Sequence, residues 1–586
     1  MALSLQYTTT TTTTTLSSSH PQLPWKHPRT ASIALGSGRR HRGSNVSCKA
    51  RNGGDEQTPP PSLKLERRDV LLGLGGASLY TLAGGSRPDA AFAEPVAPPD
   101  LSKCGPADLP ANAAPTNCCP PYSQKIIDFK LPSSTTPMKV RQAAHLVDKD
   151  YIEKYKEAVR LMKSLPADDP RNFTQQANVH CAYCDGAYDQ IGFPNLELQV
   201  HNSWLFLPWH RYYLYFHERI LGKLIGDDSF ALPFWNWDAA GGMHLPAIYA
   251  DKASPLYNKL RDAKHQPPAV VDLDYAGADS TDTDQQVIAS NLTIMYKQIV
   301  AGGKTALLFM GAPYRKGDEP NPGLGSLENI PHGPVHLWTG DRTQPTLEDM
   351  GNFYSAARDP IFYAHHSNCD RMWNVWKTIG GKRKDFTDPD WLDAAFLFYN
   401  ENAELVRVKI RDCVDSSKLR YTYQNVDIPW LQAKPASIRA RALVRPTPNR
   451  EGAVTKFPVK LNKVLRVVVS RPKKGRSRAE KDDEEEVLVI DGVQLNRDVA
   501  VKFDVYINLE EGGKGPRANE FVGSFVNVPH KHGKKEKLKK TRVRLGITDA
   551  LEDLGADDDD EVVVTLVPRQ GKDEVSVGGL KIEFST

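Results

Sequence analysis

The 586-residue sequence predicts a mainly α domain with a four-helix core and long loops, followed by an all-β sandwich domain, behind a disordered N-terminal targeting region. Three observations predict this order. Before Asp55 there is no acidic residue, while Ser and Thr abound around scattered arginines. Between about residues 140 and 430, amphipathic stretches and helix-start prolines recur. Beyond residue 456, short β-branched or alternating runs are divided by turn residues.

Residues 1–93 read as an address, since an acid-free, Ser/Thr-rich, arginine-dotted leader marks an organelle transit peptide. Arg67-Arg68-Asp69, an apolar stretch from Val70 to about Gly85, and Ala91-Phe-Ala93 then describe a second, twin-arginine export signal. The apolar run is too short and glycine-rich for a stable membrane span, which needs about 20 apolar residues. The expectation is a precursor that enters the chloroplast, is carried by the twin-arginine translocation (Tat) machinery into the thylakoid lumen, and matures near Ala93. The first 93 residues hold eleven basic and five acidic side chains, a surplus of +6, so the remainder carries −2 of the total +4. Without a basic patch in the folded part, nucleic acid is excluded as a partner.

Seven cysteines follow the leader. Cys104, Cys118, Cys119 and Cys181 suffice for two disulfides with three connectivities, although the adjacent pair does not easily bond to itself. A zinc knuckle is the rival reading, weakened because CxxC pairs do not occur on both sides. Cys369 and Cys413 read as buried free thiols.

Residues 94–432 form the expected helical domain. Gln142–Val147 and Tyr151–Leu165 are amphipathic, and residues 165–200 and 240–330 are rich in Pro, Gly and Asp and read as long loops. His332 and His336 stand at i and i+4, so both imidazoles leave one helix face. Pro331 sits where that helix would begin, and Asp359-Pro360 is a second start signal leading to His366. Upstream, His180-Cys-Ala-Tyr-Cys184 and His201 to His210 repeat the theme, with Trp209–Gly222 as a helix and His180 and His201 on less regular backbone. Such trios, drawn partly from facing helices of a bundle, are a recurrent way to build a dinuclear site. Six neutral imidazoles with no carboxylate or thiolate among them suit copper better than zinc, magnesium or iron. Asp370, one turn after His366, is a candidate orienter of a ring nitrogen or the partner of Arg371 or another basic residue. His217 and His365 flank the pattern and read as core or supporting residues.

Residues 433–455 read as an exposed, cleavable linker, and 456–586 as the β domain. Its strands are expected at 464–469, 487–490, 499–508, 521–528, 541–547, 562–567 and 580–584, which suggests a sandwich. Arg471–Glu486 flips from basic to acidic and reads as a solvated loop. His530 and His532 alternate and read as surface histidines.

The six histidines and the words around them resemble plant polyphenol oxidase (catechol oxidase or tyrosinase), the type-3 dicopper family. The resemblance covers nearly everything after the leader. It implies two copper ions, the first held by His180, His201 and His210, the second by His332, His336 and His366. It also implies a thioether between Cys184 and His201, and disulfides Cys104–Cys119 and Cys118–Cys181. Phe353 matches the family's aromatic gate over the second copper, and Glu328 a carboxylate that holds a water. Gly333 stands where members that hydroxylate monophenols often carry an asparagine. Asp390-Trp-Leu392, Tyr421-Thr-Tyr423 and Lys502-Phe-Asp-Val-Tyr506 match further family signatures, the first two marking the end of the helical domain. The C-terminal domain would cover the site and keep the enzyme latent.

The expected reaction is catechol oxidation. Two catechols each surrender two electrons and two protons to one dioxygen, giving two o-quinones and two waters. With glycine at 333, diphenol oxidation is expected to dominate over monophenol hydroxylation. A hemocyanin-like oxygen carrier and a dizinc hydrolase are the rivals. The plastid signals argue against the first, and the absence of a carboxylate ligand against the second.

Overall fold

The computed structural model describes residues 94–436, 450–454, 456–509, 515–530 and 540–585. The targeting region, most of the linker and His532 lie outside the described residues, which all belong to one compact unit, Pro88–Thr586. Among the described residues, no helix is long and apolar enough to cross a membrane.

Helix α1, Lys149–Ser164, starts where the Asp148 carboxylate accepts the Tyr151 N–H at 2.8 Å. It buries Tyr155, Ala158, Val159 and Met162 as one stripe and stops before Pro166. Helix α2, Phe173–Cys184, falls where a loop was expected. Ten of its residues are buried. It therefore has no broad polar face by which periodicity could reveal it. Helix α3, Phe206–Leu224, begins three residues before the expected Trp209. Helix α4, Asp284–Met295, also interrupts an expected loop and opens with a capping box from Thr283 and Gln286. Helix α5 spans Gly333–Thr339, and α6 spans Ile361–Ile379. The Asp359 carboxylate accepts the Ile361 N–H at 3.0 Å and pairs with buried Arg261 at 2.7 Å.

Gln142–Val147 is a turn rather than a helix. Its backbone is claimed by Phe234, through Ala144 N–H to Phe234 O and Phe234 N–H to Gln142 O, both 2.8 Å. Strands β1 (Ile126–Asp128), β4 (Leu405–Lys409) and β3 (Ala395–Tyr399) form one small sheet. Strands β2 (Lys139–Arg141) and β5 (Tyr421–Tyr423) pair in parallel. Beside them Asp370 is a structural hub and not a partner of an imidazole. It meets Arg211 at 2.5 Å, Arg141 at 3.4 Å and the Tyr421 hydroxyl at 2.6 Å, with Tyr423 also bonded. Burial alone would raise its pKa, but Arg211 and Arg141 prevail and hold it below the usual carboxylate value. Arg371 pairs with Asp238 instead, at 3.0 Å.

The C-terminal domain packs two antiparallel sheets. One orders β9 (Phe521–Asn527), β8 (Val501–Ile507), β11 (Glu561–Gln570) and β6 (Leu465–Ser470). The other centres on β7 (Glu485–Leu495), flanked by β10 (Lys540–Gly546), β12 (Val575–Val577) and β13 (Gly579–Ser585). Val467, Leu488, Phe503, Phe525, Val543 and Leu566 meet in one core between them. Arg471–Glu486 is no solvated loop. Ser477 caps a short helix, Arg478–Asp483, and buried Arg471 pairs with Glu486 at 2.8 Å. Lys502, fully buried, reaches across to Asp274 of the helical domain.

Removing one partner of a buried ion pair costs about 3–5 kcal/mol, because it strands the other charge. Asp370→Asn is expected to lower unfolding stability of the full chain by roughly that amount in a urea titration. A change below about 0.5 kcal/mol would show that the hub is dispensable.

Candidate metal centre

Seven buried histidines form two groups, His180, His201 and His210 in one, and His332, His336, His365 and His366 in the other. Within each group one donor atom per residue lies within 4.8 Å of the others. His180 comes from α2, contrary to the irregular backbone expected of it, and His210 from the second turn of α3. His201 stands in the bend before α3, where Gln199 Oε1 accepts the His201 N–H at 2.9 Å. His332 and His336 follow extended Ile330 and Pro331 onto α5, and His366 lies two turns into α6. The groups face each other, with the His210 and His366 rings stacked at 4.2 Å and 11°.

Backbone carbonyls fix most of the rings. Nδ1 of His180 faces Phe353 O at 2.8 Å, His210 faces Phe206 O at 2.8 Å, His332 faces Glu328 O at 3.0 Å and His336 faces Met350 O at 2.7 Å. A carbonyl only accepts, so each Nδ1 carries the proton and each Nε2 keeps its lone pair. Nε2 of His180, His210 and His332 is buried with no protein partner. Burial pushes His180 down to about 3 and His336 down to about 4, and the other five well below the ordinary histidine value. All seven are therefore neutral near pH 7.

His365 has the opposite polarity. The Trp237 indole, which only donates, meets His365 Nδ1 at 3.2 Å, so the neutral ring carries its proton on Nε2. That leaves His180, His201 and His210 against His332, His336 and His366 as the set suited to metal. His336 Nε2 and His366 Nε2 stand 3.3 Å apart. Two nitrogens each about 2.0 Å from one first-row ion at a tetrahedral angle stand about 3.3 Å apart. Among the described residues, no carboxylate or thiolate joins either group. These donors fit copper.

The Phe353 ring lies on His201, at 4.1 Å and 17°, and 6.2 Å from His336. It thus lies against the first trio, whereas the sequence resemblance implies a gate over the second copper. Glu328 Oε1 accepts the Asn202 N–H at 2.6 Å, while Oε2 is buried without a protein partner. Burial raises its pKa well above the usual value. A Cβ on Gly333 would lie 3.0 Å from Val526 Cγ1 of the C-terminal domain.

His530 is not a surface residue. It is buried, and its ring stacks 4.9 Å from Phe353 at 27°. Phe353 N–H also donates to Pro529 O at 3.2 Å.

The helical domain matches the common central domain of tyrosinase over residues 170–379, and residues 385–436 match the polyphenol oxidase middle domain. Residues 457–584 match the chloroplastic polyphenol oxidase C-terminal domain. A chloroplastic polyphenol oxidase of Malus domestica is 58% identical over 584 residues, covering 97% of each chain. The chain belongs to the polyphenol oxidase family. The structure of latent apple tyrosinase superposes with a TM-score of 0.76 and 61% identity, covering 79% of this chain and all of that one. Latent aurone synthase gives 0.79 at 43% identity, over 84% of this chain and 99% of that one.

In this polyphenol oxidase the cysteines form Cys104–Cys119 and Cys118–Cys181 disulfides, while Cys184, Cys369 and Cys413 are buried thiols. The second disulfide anchors the N-terminal segment to the residue after His180. Neither Trp237 nor Asn202 carried a signal in the sequence that would have brought it to this site. His217, buried with both ring nitrogens lacking a protein partner, stacks on Tyr363 at 3.6 Å and belongs to neither group. Cys118→Ser is expected to lower stability by about 2–5 kcal/mol in a denaturant titration under oxidising conditions. Stability equal to wild type would show that the cross-link does not constrain the His180 helix.

Proposed function

We propose that this chain is a copper-dependent o-diphenol oxidase of the chloroplast, held latent by its C-terminal domain. Two facing sets of neutral imidazoles, with Nε2 lone pairs directed inward, carry the reading. His180, His201 and His210 would hold one copper, and His332, His336 and His366 the other. When bound, the copper pair supplies reversible one-electron chemistry that couples two catechol oxidations to reduction of dioxygen to water. The chain's own groups do the rest. Phe353 offers a ring face on which a phenol can stack once His530 is displaced. Glu328, whose carboxylate burial makes a stronger base, can when ionised take a proton from a phenol hydroxyl through a water at Oε2. The walls exclude bulk water, since every imidazole is buried. Cys184, at the end of α2, is the thiol proposed to be joined to His201, giving a peptide pair lacking two hydrogens by mass spectrometry.

Val526, Val528 and His530 supply the cover. The relatives' names, chloroplastic for the Malus oxidase and latent for both solved structures, support plastid targeting and latency. The twin arginines Arg67-Arg68 extend the proposal to Tat transport into the thylakoid lumen, and residues 433–455 are the proposed cleavage region.

A second reading adds monophenol hydroxylation, since the apple relative is called a tyrosinase. Glycine at 333 gives no side-chain acceptor beside His332, which favours diphenols.

Metal analysis and oxygen uptake test the proposal. The full chain is expected to hold two copper ions, with low catechol-driven uptake that rises at least about tenfold after the linker is cut, the removal of a cover worth about 1.4 kcal/mol or more. His366→Phe is expected to lose one copper and catechol activity, whereas His365→Phe keeps both coppers. Zinc in place of copper, or no uptake after cutting, would refute the proposal. Tyramine turnover close to that of catechol would establish the second reading.

A further inference from the structure

The segment from Glu328 to Gly333 forms the rim of the centre nearest the C-terminal domain. Glu328 reaches Asn202, the neighbour of His201, and Gly333, the neighbour of His332, lies beneath Val526. Between them stands Asn329, whose side-chain amide is buried. Its Nδ2 donates to Ser524 O and its Oδ1 accepts the Val526 N–H at 2.9 Å. Both partners belong to β9, the edge strand of its sheet, whose outward peptide groups have no strand neighbour on that side. The amide thus takes the place of a neighbouring strand, reading one acceptor and one donor on adjacent stretches of backbone.

When β9 withdraws, both partners leave together, and Val526 leaves with them the space above Gly333. The vacated amide then faces the opening through which a phenol would approach His332. Its donor and acceptor are already spaced for a group that carries one of each. A carboxamide on the phenol's side chain meets that demand, whereas an unsubstituted catechol, its two hydroxyls directed at the histidines, has no further group to offer.

We propose that Asn329 is a substrate-specificity residue that binds a carboxamide group on the side chain of a phenolic substrate, and that β9 occupies this subsite in the covered chain. The inference rests on the proposed oxidase function and extends it to a substrate class. Neither the shape of the catechol ring nor the histidines would disclose this preference, because it lies on the rim beyond them.

The test uses the full copper-loaded chain cut within residues 437–449, with both fragments present. Binding of 3-phenylpropanamide, which has no hydroxyl to oxidise, is measured by calorimetry for wild type, Asn329→Ala and Asn329→Asp. Turnover of 3-(3,4-dihydroxyphenyl)propanamide is compared with that of catechol in the same proteins. Loss of the amide's paired hydrogen bonds in Asn329→Ala is expected to weaken phenylpropanamide binding about tenfold. The kcat/KM ratio of the amide substrate to catechol is expected to fall by a similar factor, carried by KM. Asn329→Asp, which keeps an acceptor and loses the donor, is expected to fall between the two and covers the case in which the alanine variant does not fold. Unchanged binding and an unchanged ratio, or no binding in wild type, would overturn the inference. Amide binding that depends on Asn329 in a chain that does not oxidise catechol would overturn the oxidase reading and leave the subsite standing.

Discussion

Burying imidazoles in their neutral form, with the lone pairs turned toward one another, is the constraint around which the helical domain is built. Each unpartnered Nε2 costs about 1–3 kcal/mol of desolvation when nothing meets it. At least three such atoms, on His180, His210 and His332, face the same interior. A fold tolerates that only if the surrounding elements hold the rings in place. Here they do so through backbone oxygens of Phe353, Phe206, Glu328 and Met350, groups that no side-chain substitution removes. A bound ion would satisfy the lone pairs together, so occupancy of the centre and stability of the bundle are expected to be coupled.

The same constraint explains why a second domain lies over the centre. An interior of neutral imidazoles and an exposed Phe353 face would present an apolar opening to solvent. Val526 of β9, with Val528 and His530 just beyond it, closes this opening, and the missing side chain at Gly333 lets Val526 approach. Asn329 and Lys502 supply the polar connections, one through backbone of an edge strand and the other through a buried ion pair with Asp274. The cover is therefore attached by apolar packing as well as by these polar contacts, since Ala500, Val526 and Val528 join the buried core of the helical domain and Leu324 joins that of the β domain.

Much of this was legible in the sequence because its signals are local. Proline and aspartate before His336 and His366 mark helix starts, and the strands of the C-terminal domain announce themselves by alternation. What escaped was set by tertiary packing. Helix α2 is buried nearly all round and has no polar stripe, so the sequence shows no helical period around His180. His365 and His366 are adjacent and chemically alike, and only the indole of Trp237, distant in sequence, separates their tautomers. Asp370 stands one turn from His366, yet two arginines and two tyrosines from other segments claim it. His530 sits in a lysine-rich stretch that reads as surface, and its burial depends on where the end of β9 docks.

X-ray absorption at the copper edge of the purified full chain tests the central claim most directly. Two coppers per chain are expected, each bound by three imidazole nitrogens and with the other copper close by. A carboxylate or thiolate among those ligands, or a single isolated copper, would contradict the claim.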